Sequence, residues 1–134
     1  MTLSAPAILL TAAASLLAIL VSMSMSMSIL VGRVRGKVGI IPPAMTGAPE
    51  LERAIRVQGN TLEQFVIFLP ALWLAALYFQ GWVPPILGLV WSVGRIIYAA
   101  QYLAGRNRAI GFGLTLLPSA ILVVLAAIGV AQAW

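Results

Sequence analysis

Three polar side chains at helical spacing lead directly into an apolar part of the chain. Arg56, Asn60 and Glu63 occupy positions i, i+4 and i+7 and therefore share one face of a helix. Polar groups that enter a bilayer are costly in free energy and usually line a functional interior. A guanidinium suits carboxylates or a thiolate, whereas a carboxylate beside an amide suits ammonium or amide groups. The stripe predicts a polar binding site, and the alternative is a solvated helix start.

A second polar stripe follows at Arg95, Tyr98 and Tyr102, spaced i, i+3 and i+7. For the tyrosines an interfacial aromatic belt is the alternative. Together the stripes predict a cleft that opens to the cytosol and binds an anion. A small anionic peptide meets that description, and an apolar co-substrate could enter from the bilayer. Its basic residues are Arg35, Arg56, Arg106 and Arg108. We also expect Glu63 and Arg95 to pair, because they lie roughly 18 Å and roughly 15 Å from the cytoplasmic ends of their helices.

Composition excludes several classes of protein. The 134 residues are 62% hydrophobic and 8% charged, with a mean hydropathy of +1.06, so the chain is not a soluble globule. The basic residues behind its net charge of +5 are spread over short segments, which indicates membrane orientation and not nucleic-acid binding. Histidine and cysteine are absent, which excludes the usual zinc sites and Cys/His or Ser/His catalysis. We expect no metal, and any nucleophile must arrive with a substrate.

The apolar runs predict an all-α, integral membrane four-helix bundle that forms a single domain over residues 1–134. The predicted helices cover about residues 6–31, 51–79, 85–103 and 109–133. The first is read as a membrane span and not as a signal peptide, because residues 1–4 contain no basic residue. The charge-free part of the second helix reaches only roughly 24 Å, less than a ~30 Å hydrocarbon core, so Glu63 is expected within the membrane. Pro70 predicts a kink there.

The loops predict the orientation. Residues 32–49 open with Arg33, Arg35 and Lys37, and their prolines are expected to keep this segment from being helical. Residues 105–108 are also basic, whereas residues 80–85 carry no charge. Basic loops remain on the cytoplasmic side, so both termini are expected outside.

The stretch Glu52-Arg53-Ala54-Ile55-Arg56-Val57-Gln58-Gly59-Asn60-Thr61-Leu62-Glu63 resembles the E-R-x-x-R-x-x-x-N-x-x-E signature of the MAPEG family, the membrane-associated proteins in eicosanoid and glutathione metabolism. The likeness covers nearly the whole chain. Residues 42–50 are similar to the Pro/Gly loop of leukotriene-synthase-like members. Gly94-Arg95 with Tyr98 and Tyr102 is similar to their third helix, and residues 108–112 with Pro118 are similar to the fourth helix of prostaglandin-synthase-like members.

The resemblance implies a homotrimer that binds glutathione between neighbouring subunits near the cytosol. Arg108 would stabilise the thiolate, because a nearby cation lowers the pKa of a thiol. The loop before it is shorter than in prostaglandin-type members, so Arg106 competes for that role. Glutathione would be held by Arg35, Arg56, Asn60, Glu63, Tyr98, Tyr102 and Arg106, with Arg95 as structural support.

Two departures from the family favour a broad function. Gln64 stands where the leukotriene type has tyrosine, and Gly59 where the prostaglandin type has another arginine. We therefore expect a microsomal glutathione transferase-like enzyme, a transferase or peroxidase that detoxifies apolar electrophiles. One alternative keeps the fold without glutathione chemistry. The other is a small four-helix drug/proton antiporter, which would need a glutamate that the first helix lacks.

Overall fold

A computed structural model describes residues 5–79 and 81–134, and every element in those ranges is helical. The elements in chain order are α1 (Ala5–Ser24), a π turn (Met27–Val31), α2 (Gly32–Val38), α3 (Pro49–Tyr78), α4 (Val83–Leu103) and α5 (Ala109–Ala133). The segments Pro6–Val38, Pro49–Tyr78, Val83–Leu103 and Ala109–Ala133 are long and apolar enough to cross a bilayer. The prediction of an all-α chain with four apolar helices is confirmed, and the four helices fit a multi-pass membrane protein.

The first span is longer than the sequence predicted. Residues 32–38 form α2, so the expectation of a non-helical segment over residues 32–49 is wrong for its first part. Arginine and lysine are good helix formers and give no stop signal. The helix ends at Gly39, whose φ of 73° is left-handed and whose N–H donates to the carbonyl of Arg35 at 2.8 Å. The connecting loop is residues 39–48.

A break interrupts this span at Met25 and Ser26. Their N–H groups donate to carbonyls three residues earlier, at 3.2 Å and 3.1 Å. The hydroxyl of Ser26 then accepts from the N–H of Ile29 at 3.2 Å, and the π turn follows. The break leaves Met25 buried, whereas Met23 and Met27 are exposed. The helical geometry of the first span therefore changes within the alternating Ser-Met run.

Small residues and one aromatic stack hold the helices together. The rings of Phe68 in α3 and Trp91 in α4 are parallel, with centroids 4.2 Å apart, in the centre of the main core. A Cβ on Gly111 of α5 would collide with the backbone of Tyr98 in α4. This close approach is typical of helix packing in membranes, where small residues let backbones approach each other. It fixes the first turn of α5 at the level of Tyr98.

The helix α3 begins with acidic residues and buries one apolar face. Glu50 and Glu52 lie in its first turn, where the helix dipole stabilises acidic side chains. Its buried face includes Leu51, Ala54 and Val57. Pro70 lies inside α3 without ending it, since the helix continues to Tyr78.

Candidate functional site

A polar cavity of about 360 Å³ lies between α3, α4 and the start of α5. Its lining is Arg56, Asn60, Glu63, Tyr98, Tyr102, Arg108 and Phe112. The two polar stripes of the sequence therefore face the same space. Of the residues predicted for the site, Arg35, Arg95 and Arg106 do not line this cavity.

The α3 wall supplies opposite charges and an amide. Arg56 and Glu63 are exposed, and Asn60 lies between them along the helix. The Asn60 Oδ1 atom is buried and has no hydrogen-bond partner among the described residues. A buried acceptor without a donor is unfavourable, so a ligand N–H at this position would be bound favourably.

The α4 wall is a pair of tyrosines stacked against two arginines. The ring centroids of Tyr98 and Tyr102 are 5.6 Å apart. The guanidinium carbon of Arg95 lies 4.2 Å from the centroid of Tyr98, and that of Arg108 lies 4.8 Å from the centroid of Tyr102. Both distances are within the range of cation–π attraction. These contacts form a series of four side chains, the arginine–tyrosine ladder, with Arg95 at one end and Arg108 at the other.

Arg95 is fully buried and is held by hydroxyl groups. Its Nη2 donates to Thr61 Oγ1 at 2.8 Å, and its Nη1 approaches Thr115 Oγ1 at 3.5 Å. Its Nε has no partner among the described residues. These contacts tie α4 to α3 and α5 directly behind the tyrosine wall.

The expected pair between Glu63 and Arg95 is wrong for this chain. Among the described residues the ion pair found is Lys37 with Glu50, at 3.0 Å and with both side chains well exposed. Glu63 and Thr61 are two residues apart, or about 200° around a helix, so they face different directions. A similar distance of Glu63 and Arg95 from the helix ends was therefore not sufficient to predict a pair. Thr61, which binds Arg95, faces the interior of the bundle, whereas Glu63 faces the cavity.

Thr61 is the residue that the sequence reading missed. It is almost fully buried, accepts from Arg95 and donates to Met25 Sδ at 3.6 Å, so it joins α3 to α4 and to the break in the first span. The signal was present in the interior stripe of α3, where Thr61 follows the buried Val57 at i+4. A hydroxyl in an otherwise apolar interior stripe indicates a polar partner on another helix.

Arg35 lies outside the cavity of this chain. Its Nη1 donates to the carbonyls of Ala44 at 2.6 Å and Ile40 at 3.3 Å. These bonds hold the proline-rich loop of residues 39–48 against the end of α2. A contact of Arg35 with a ligand therefore stays a prediction.

The two candidate catalytic arginines have different positions. Arg108 lines the cavity and precedes the first turn of α5, where Asn107 Oδ1 accepts from the N–H of Ala109 at 3.0 Å. Arg106 is exposed, and its backbone N–H closes the end of α4 by donating to the carbonyl of Gln101 at 2.8 Å. Of the two, Arg108 is the one beside the tyrosines.

Comparison with known proteins identifies the family of this chain. The profile of the MAPEG family matches residues 11–128. The chain belongs to the MAPEG family. The matched region contains every residue that lines the polar cavity.

Individual relatives agree with the family assignment. An uncharacterized protein of Synechocystis is 54% identical over 95 residues, which are 70% of this chain and 69% of the relative. Microsomal glutathione S-transferase 2 of Homo sapiens is 42% identical over 105 residues, 78% of this chain and 71% of the relative. Leukotriene C4 synthase of Bos taurus is 34% identical over 124 residues, 90% of this chain and 79% of the relative.

A second, larger cavity of this MAPEG protein is lined almost entirely by apolar side chains. It has a volume of about 760 Å³, lies between α3 and α5 towards their other end, and includes Ile67, Leu74 and Val130 in its lining. Its lining side chains are apolar apart from the indole N–H of Trp134. Within residues 5–79 and 81–134 there is also no group of three side chains suited to a metal ion.

Proposed function

We propose that this protein is a membrane-embedded glutathione transferase, in which the polar cavity binds glutathione and Arg108 stabilises its thiolate. The observation that carries the proposal is the convergence of Arg56 and Arg108 with Glu63 and Asn60 in one cavity. Its volume of about 360 Å³ falls within the usual range for small-ligand sites. The names of two relatives, microsomal glutathione S-transferase 2 and leukotriene C4 synthase, support the same class of reaction.

The charges of glutathione complement the cavity. The tripeptide has two carboxylates, one ammonium group, two peptide N–H groups and a thiol. Arg56 suits a carboxylate through a charge-assisted hydrogen bond, and Glu63 suits the ammonium group. Asn60 Oδ1 is free to accept from a peptide N–H, and the tyrosine hydroxyls can donate to the anion.

In this proposal Arg108 acts on the sulfur of bound glutathione. A fixed cation favours the charged form of a thiol and lowers its pKa, so more thiolate is present at neutral pH. The thiol proton leaves to solvent, the sulfur attacks an electrophilic carbon, and a sulfur–carbon bond forms as the leaving group departs with its electron pair. Phe112 adds an apolar surface to the same cavity, which suits an apolar electrophile that arrives from the bilayer.

We also propose that the protein is a homotrimer with its basic loops in the cytosol and both termini outside. Arg56 and Glu63 remain exposed in the single chain, so a neighbouring subunit would cover a ligand bound there and would bring its Arg35 close. Arg33, Arg35, Lys37, Arg106 and Arg108 all lie at the same end of the four spans, which is the distribution expected for the cytoplasmic side.

The test is a titration of the purified protein in mild detergent with glutathione, followed by ultraviolet absorbance of the thiolate. S-methyl glutathione is the matched control, since it keeps the charges and lacks the thiol. We expect a thiolate signal at neutral pH with glutathione alone, and conjugation of an activated aryl halide at a rate that saturates with glutathione. Binding of both tripeptides without thiolate or conjugation would overturn the transferase proposal and would favour a MAPEG protein that only binds.

A further inference from the structure

Arg53 lies three residues before Arg56 on α3, but its guanidinium contacts the loop between α4 and α5. An ideal Cβ placed on Gly105 would lie 3.2 Å from Nη2, 3.3 Å from Cζ and 3.5 Å from Nη1 of Arg53. Three nearly equal distances mean that the planar group faces the glycine. A side chain at position 105 would therefore come into tight contact with the arginine of another helix, which would have to shift by a few tenths of an ångström.

Gly105 is also fixed by its own backbone. Its φ of 71° is left-handed, its N–H donates to the carbonyl of Tyr102 at 3.0 Å, and the N–H of Arg106 donates to the carbonyl of Gln101 at 2.8 Å. This pair of bonds is the Schellman motif that ends a helix at a left-handed glycine. The end of α4 is therefore a defined structure on which Arg53 rests.

The loop that Arg53 covers leads within three residues to Arg108. On the far side of Arg108, Gly111 packs against the backbone of Tyr98. Asn107 accepts the first free N–H of α5 at 3.0 Å. Arg108 is thus fixed from the α5 side by packing and from the loop side by the contact of Arg53 with Gly105.

We propose that Arg53 is a positioning residue, which holds the loop of residues 104–108 so that Arg108 remains against Tyr102 at the cavity. Arg53 does not line the cavity, and it forms no ion pair with any described residue. Its guanidinium plane, more than its charge, makes the contact, and lysine does not reproduce that plane. The catalytic consequence rests on the proposed function, whereas the structural consequence does not.

The structural consequence is tested without glutathione. Amide hydrogen exchange over residues 104–112 is compared between the wild type, Arg53→Met and Arg33→Met. Arg33 is exposed on α2, so its variant removes one charge from the same end of the bundle without touching the loop. We expect exchange in this segment to accelerate about tenfold in Arg53→Met and to stay at the wild-type rate in Arg33→Met. Equal exchange in the two variants would overturn the proposal whatever the protein catalyses.

The catalytic consequence is tested by a double-mutant cycle. We expect Arg53→Met and Arg53→Lys each to lower kcat about tenfold, while the KM for glutathione changes less than about threefold. In an Arg108→Ala background, Arg53→Met should have no further effect on kcat, because it acts through Arg108. An equal loss in both backgrounds, or an effect confined to KM, would show that Arg53 acts on the ligand directly. If the wild type forms no thiolate, the proposed function fails and the exchange experiment still decides the role of Arg53.

Discussion

The two ends of the arginine–tyrosine ladder make the same contact in opposite environments. Arg95 stacks on Tyr98 at 4.2 Å and is fully buried, whereas Arg108 stacks on Tyr102 at 4.8 Å and is exposed. Arg95 also has hydroxyl partners on two other helices. Among the described contacts, Arg108 has the ring alone for its guanidinium. The cation–π contact alone therefore does not determine the role of each arginine, which depends on its burial and on its other partners.

A buried guanidinium without an acidic side chain as its partner is expected to have a structural role and to depend on each of its remaining contacts. Placing a charge in the middle of a membrane helix costs at least about 2.5 kcal/mol on insertion scales. Hydroxyl partners and the tyrosine face reduce that cost, and losing one of them leaves a charged donor unsatisfied. An exposed guanidinium bears no such cost, so its charge remains available to a ligand anion.

The largest effect is expected at the exposed end, where Arg108→Ala should abolish most catalysis and leave the fold intact. We expect kcat for conjugation to fall about 100-fold, equivalent to about 2.7 kcal/mol, because the lost interaction is made mainly to the reacting anion. The melting temperature in detergent should remain within about 2 °C of the wild type, as for other surface substitutions. Arg106→Ala is the matched control and should retain kcat. The reverse pattern would assign the thiolate to Arg106.

The second-largest effect is expected at Thr61, which accepts a hydrogen bond from the buried Arg95. Thr61→Val keeps the shape of the side chain and removes the acceptor of the 2.8 Å bond from Arg95. We expect the free energy of unfolding in detergent to fall by about 1–3 kcal/mol, since a buried charged donor is left unsatisfied.

Thr11→Val is its control, because Thr11 is equally buried but bonds to the carbonyl of Ala7 in its own helix. That carbonyl also belongs to the ladder of α1, so the control should cost less than about 1 kcal/mol. If both variants lose the same free energy, Thr61 does not stabilise Arg95.

Much of the fold followed from the sequence, because apolar runs of membrane length and proline-rich connections give strong signals. The four spans were predicted in this way, but the residues at which the helices end were predicted less accurately. Residues 33–37 continue the first helix because basic side chains do not stop one, and only the left-handed Gly39 does. The break at Met25 and Ser26 had no signal of its own, since neither residue is a helix breaker.

The residues that line the cavity were easier to predict than the contacts that hold its walls in place. Helical spacing placed Arg56, Asn60 and Glu63 on one face, and the structure brings them to one cavity. The partner of Arg95 was assigned from depth alone, and depth does not say which way a side chain points. The placement of Thr61 depends on how α3 rotates against α4, which is decided by packing such as the stack of Phe68 on Trp91.

The third prediction distinguishes charge from volume at the buried end, and its decisive variant, Arg95→Met, has a smaller expected effect than Thr61→Val. Arg95→Met should change the free energy of unfolding by less than about 1 kcal/mol, because replacing a buried charge by an apolar side chain of similar size is often neutral. Arg95→Ala should cost about 2–5 kcal/mol, since it leaves a cavity. Equal losses in the two variants, measured by unfolding in the same detergent, would mean that the charge itself contributes stability.

The smallest expected effect is a coupling near zero between Glu63 and Arg95. Because Glu63 faces the cavity and Arg95 bonds to Thr61, the stabilities of Glu63→Gln, Arg95→Met and the double variant should add within about 0.5 kcal/mol. Thr61→Val with Arg95→Met is the matched pair in contact. It should show a coupling of about 1 kcal/mol or more, because the hydroxyl loses its importance once the guanidinium is absent. A coupling of similar size for Glu63 would mean that its carboxylate reaches Arg95 in the membrane after all, and that the buried end of the ladder is part of the ligand site.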